Sequence, residues 1–134
     1  MGRESILGPR FQPGISIISL FGNLLVPFGS RRDDGGWSLA DLGTRHRVDN
    51  TALEILCDGY ATGLIVLTLE ENRVRKAAAA VKHGRAWLVT NQDKSTGAWP
   101  AWSLNKDRDP KSNAGPFMSD AATAYAVLAL EARR

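Results

Sequence analysis

The 134-residue chain has a single cysteine, Cys57, so it forms no intrachain disulfide. Its two histidines, His46 and His83, stand in no ligand spacing with that cysteine, and no zinc or other cofactor is expected. Charge of one sign is also scarce. Seventeen basic residues oppose 14 acidic ones, for a net charge of +3 and a pI near 9.4. The basic residues are scattered, with no run of four and no interleaved aromatics. A nucleic-acid surface needs a continuous basic face, so no nucleic-acid partner is expected. No apolar run reaches the roughly 18 residues of a membrane span. The longest, Ile15 to Phe28, is broken by Gly22 and Pro27. No transmembrane span is expected.

What the chain does have is concentrated between His83 and Trp99, HGRAWLVTNQDKSTGAW. A helix that stops leaves its last carbonyls unpaired. A glutamine there brings both a donor and an acceptor. Gly97 permits a tight turn that returns Trp99 against the helix just left, where its indole N–H needs an acceptor. The segment reads as a clamp between successive helices. Its Gly84, Trp87, Leu88, Gln92, Gly97 and Trp99 resemble the QW repeat of squalene and hopene cyclases and of prenyltransferase-like α/α toroids. His83 stands where that pattern has Lys or Arg. Asp33-Asp34-Gly35-Gly36-Trp37 resembles the tail of an earlier repeat, with Gly36 and Trp37 in the motif.

The remaining residues divide at about position 30. Residues 1–30 match no repeat and read as an N-terminal extension, with a basic start and an apolar middle but no Ala-x-Ala cleavage site. Residues 31–134 read as the repeat domain. Asp58 is placed to cap a helix to about Glu71, with Asn72 ending it in a left-handed conformation. That helix is apolar around its whole circumference, as buried helices are. Arg73 to Asn91 reads as an amphipathic helix, with Gly84 costing about 1 kcal/mol unless a neighbour packs closely there. Pro100 to Met118 reads as a long polar loop, functional or mobile. Ser119 or Asp120 then caps a third helix, again apolar all round.

These pieces repeat. Trp37 and Trp99 are 62 residues apart, and Ala61, Thr62, Val66, Leu67, Leu69 and Glu70 recur 61 residues later as Ala122, Thr123, Val127, Leu128, Leu130 and Glu131. Buried helices alternating with half-wet ones predict an all-α fold, part of an α/α toroid with inner and outer helices. The resemblance implies an apolar cavity for an isoprenoid-type ligand, lined here by Tyr60, Trp102 and Tyr125. It also implies a catalytic Asp-x-Asp-Asp acid, which this chain lacks, since Arg31 and Arg32 precede the Asp33-Asp34 pair. Asp33 and Asp34 therefore read as turn formers. The expected function is an isoprenoid-binding repeat domain with no catalytic residue of its own, or else a non-catalytic scaffold. An incomplete ring implies self-association or docking onto further repeats, in a cytoplasmic or membrane-peripheral setting, export being the alternative.

Overall fold

A computed structural model describes residues 17–20, 24–27, 32–42, 46–109 and 111–132. The chain is mostly helical, as expected. Three helices carry the fold: α1 (Gly59–Glu71), α2 (Ala78–Asn91) and α3 (Ala114–Glu131). Two short strands, β1 (Ile17–Leu20) and β2 (Leu24–Pro27), pair antiparallel, Ile17 with Pro27 and Leu20 with Leu24. The all-α reading has no place for this pair, although Ile17, Ile18 and Val26 are the β-branched residues that favour strands. The basic start of the extension and the rest of its apolar run lie outside the described residues.

α1 begins as its sequence dictates. Asp58 stands at the N-cap in extended conformation, and its carboxylate accepts the Ala61 N–H at 2.8 Å. The helix end differs by one residue from expectation. Asn72 is not left-handed (φ −85°); Arg73 is, at φ +50°. Val74 N–H reaches Leu69 O and Arg73 N–H reaches Glu70 O, which together make a Schellman end with arginine where glycine is usual. A 3-10 turn, Arg75–Ala77, then leads into α2, so the amphipathic helix starts five residues later than expected. The wet side of α2 is as read: Val81, Gly84, Trp87 and Leu88 are buried, while Lys82, His83 and Val89 are exposed.

α3 departs further. Neither Ser119 nor Asp120 caps it, because it starts at Ala114. Pro116 is tolerated in the first turn, where backbone N–H groups lack intrahelical partners anyway. Ser119 instead donates its hydroxyl to Trp99 O at 2.8 Å. Nor is α3 buried all round. Ala122, Ala126 and Ala129 form one buried line, whereas Val127 and Leu128 face out.

α1 and α3 pack side by side, and α2 lies mainly on α1. Gly63 makes the α1–α3 approach possible: a Cβ there would stand 2.7 Å from Ala126 N. Gly84 does the same for α1 and α2, since its Cβ would meet Val66 and the Trp37 ring. The core between them contains Trp37, Ile65, Val66, Leu88 and Trp99.

Candidate functional site

The segment from Leu88 to Trp99 closes its turn with several bonds. Gln92 ends α2 in extended conformation and donates its side-chain N–H to Gly97 O at 2.7 Å. Gly97 has the left-handed backbone (φ +74°) that the turn requires. Trp99 returns beneath α2 and donates its indole N–H to Leu88 O at 2.7 Å, capping a carbonyl of the last turn. Trp99 N–H is in turn held by the Thr123 hydroxyl of α3 at 3.2 Å.

The earlier turn shares part of this construction. Gly35 is left-handed (φ +95°) and is the counterpart of Gly97. Gly36 has another task, lying so close to the Trp87 ring that a Cβ would come within 2.9 Å. Trp37 N–H bonds the Thr62 hydroxyl at 3.0 Å, as Trp99 bonds Thr123. These two threonines hold both turns to the helices that follow. They lie in the repeat alignment, yet their partners are visible only in three dimensions. One bond is missing from the first turn: Trp37 Nε1 is buried with no hydrogen-bond partner among the described residues.

Asp34 is the hub of that turn. It accepts from Gly36 N–H, from Trp87 Nε1–H (2.9 Å) and from the Cys57 thiol (3.3 Å). Burial raises its pKa, but these donors outweigh it and hold the carboxyl below its ordinary value. A general acid needs the reverse. Asp34 is a turn anchor, and its link to Trp87 across the sequence is what the Asp33-Asp34 pattern alone does not disclose. Burial and the Asp34 carboxylate push the Cys57 thiol up to about 12, so it stays protonated.

The aromatic candidates come together around Tyr60. Tyr60 and Tyr125 meet edge to face, ring centres 5.2 Å apart at 85°. Tyr60 and Trp102 line a cavity of about 540 Å³, walled by Leu104, Met118 and Phe117. Tyr125 braces Tyr60 without lining the space itself. No Asp or Glu is among the described lining residues, and Arg108 is the charged one.

Comparisons with protein-family models, curated proteins and solved structures find no match to this chain.

The loop that supplies Trp102 is held in place. Arg47, 4% exposed, donates from Nε to Ser103 O at 2.9 Å and from Nη1 to Ala52 O at 2.7 Å. Val48 N–H adds a bond to Asn105 O, and Asp107 N–H one to the Asp49 carboxylate. The cavity wall is thus pinned by a buried arginine that sits in no motif. One more buried group stands nearby in sequence. Asp58 Oδ2 has no hydrogen-bond partner among the described residues, and burial raises the carboxyl to about 7 against the pull of surrounding backbone N–H groups.

Proposed function

We propose that this chain is a squalene cyclase- and prenyltransferase-like repeat domain that binds an apolar isoprenoid-type ligand without transforming it. The observation that carries the reading is the cavity at Tyr60 and Trp102, mainly apolar and aromatic though also lined by Ser103, Asn105, Arg108 and Asn113, with a pinned wall. Its size falls within the range of ligand pockets, and aromatic faces with few polar groups suit a hydrocarbon chain. The QW-like clamp supports kinship with the toroid families, since Gly97, Gln92 and Trp99 each meet the partner that such a turn requires. That no carboxylate stands among the described residues of the cavity wall supports binding rather than carbocation chemistry, which begins with a proton donor.

The test is titration of the full chain with farnesol, read by tryptophan fluorescence and by calorimetry. Saturable binding, weakened roughly tenfold by Trp102→Ala, is the expected result. No saturable binding, or binding indifferent to both Trp102→Ala and Tyr60→Ala, rejects the reading. Any cyclised product from squalene, detected by gas chromatography, rejects its non-catalytic half.

A further inference from the structure

The internal repeat allows one half of the chain to be read against the other. α2 rests on a strip of α1 that runs along Val66 and Leu69, and Val66 is fully buried beneath Gly84. The same strip of α3, 61 residues on, is Val127 and Leu130. Val127 is 46% exposed and its neighbour Leu128 is 53% exposed. Leu130, one turn along α3 from Val127, lines an open groove of about 970 Å³ whose other walls are the C-terminal end of α1, the turn after it and α2; Val127 and Leu128 stand outside its lining. Its floor includes Val81 and Leu130, and Val89 on its α2 side is 57% exposed. Among the described residues, the position that α2 fills on α1 is therefore open on α3.

We propose that this groove is the docking site for an acidic amphipathic helix of a partner protein, seated on α3 as α2 is seated on α1. The charge around the groove identifies the partner's polar flank. Arg73, Arg75, Lys82 and Arg85 line it against a single carboxylate, Glu70, which is already paired with Arg85 at 3.2 Å. Like charges placed face to face disfavour docking, and opposite ones guide it. A second copy of this chain would offer α2, its amphipathic helix, whose Lys82 and Arg85 repeat the groove's own sign. The apolar face of the partner is also specified. Where α2 crosses Val66 it carries Gly84, and a Cβ there would stand 2.5 Å from Val66 Cγ2. A helix crossing Val127 at the same distance needs a small residue at that point.

α2 itself supplies the probe. A labelled peptide with the sequence of residues 78–91, carrying Lys82→Glu and Arg85→Glu, is titrated with the full chain and followed by fluorescence anisotropy. Saturable binding is expected, weaker by roughly tenfold when the protein carries Val127→Asp or the peptide carries Gly84→Leu. Arg75→Glu in the protein should weaken it too, and added salt should act the same way. Val127 and Arg75 are exposed, and unchanged circular dichroism verifies that both variants fold. Absent binding, tighter binding of the unmodified basic peptide, or indifference to Val127→Asp overturns the proposal. A concentration-dependent dimer abolished by Val127→Asp overturns it in favour of a second copy. Farnesol titration reads the Trp102 cavity at the other end of α3, so the two readings fail separately.

Discussion

At the scale of single residues, the two turn tryptophans form a controlled comparison. Both are buried, and both have a backbone N–H held by a threonine, but only Trp99 gives its indole N–H to a carbonyl. Replacing Trp99 by Phe leaves Leu88 O without that donor. Replacing Trp37 by Phe removes a donor that has no acceptor and already costs stability. Trp99→Phe should therefore destabilise more than Trp37→Phe, by about 1–2 kcal/mol, measured as the difference in urea-unfolding free energies. Equal losses would mean that the Leu88 bond contributes nothing. Gln92→Ala should cost about 1 kcal/mol, because its bond to Gly97 O is exposed. Asp58 makes a prediction in pH. Its folded pKa, about 7, lies above the ordinary 3.8, with burial the main cause and Asp41 adding repulsion. The folded state thus binds the proton more tightly than the unfolded chain. Stability from this group is greatest below pH 3.8, falls as pH rises towards 7, and is level above that. Asp34, Asp49 and Asp93, whose pKa values are lowered, act in the opposite sense and below 3.8. Asparagine caps a helix about as well as aspartate. Asp58→Asn should therefore flatten the decline between pH 4 and 7 in thermal melts and raise the melting temperature at pH 8. A variant that keeps the wild-type slope would place its origin elsewhere.

At the scale of elements, the helix ends carry most of the information. Arg73 holds a left-handed backbone at the end of α1, which an L side chain adopts at a cost of roughly 1–2 kcal/mol. Arg73→Gly should stabilise the chain by about 1 kcal/mol, seen as a higher urea midpoint at unchanged slope. A lower midpoint would mean that the arginine makes a compensating contact. The position was nearly legible, since a helix end near Asn72 follows from the change in pattern. Asn and Asp are the non-glycine residues most often left-handed, and that tendency points to Asn72. The sequence could not show that Val74 would cap Leu69 O and so place the left-handed residue one later. The start of α3 differs from the expectation for a related reason. Gly115 and Pro116 look like loop residues, yet a first turn needs none of the N–H groups that proline lacks. Ser119 looks like a cap because its hydroxyl is near an expected helix start, but it bonds Trp99 O. Local chemistry identifies a group able to bond; tertiary neighbours decide what it bonds. The clamp was legible because its glycine, glutamine and tryptophan act within 12 residues. Arg47 was not, because its partner Ser103 is 56 residues away.

At the scale of the whole molecule, stability depends on the seam between α1 and α3, and here two principles give opposite signs. Gly63 lies inside α1, where alanine is favoured over glycine by roughly 1 kcal/mol. Propensity alone predicts that Gly63→Ala stabilises. Packing predicts the reverse, because the added Cβ would meet Ala126 N at 2.7 Å and Tyr125 C at 2.8 Å. Both are backbone atoms within α3, and neither can swing aside as a side-chain end does. The helices must separate, which also opens the Ala122–Ala126–Ala129 line and shifts the Tyr60–Tyr125 contact. Overpacking of this kind costs about 1–3 kcal/mol, so the packing loss exceeds the propensity gain. Gly84→Ala is the control, since its new Cβ would press on a Val66 methyl and the edge of the Trp37 ring. Those are side-chain atoms, which can turn about their own bonds as the backbone of α3 cannot. Gly63→Ala should therefore lower the urea midpoint more than Gly84→Ala does. It should also weaken farnesol binding, because the cavity wall is shared by Tyr60 of α1 and Met118 of α3. If Gly63→Ala raises the midpoint, propensity has won, and the two helices must be free to part without loss.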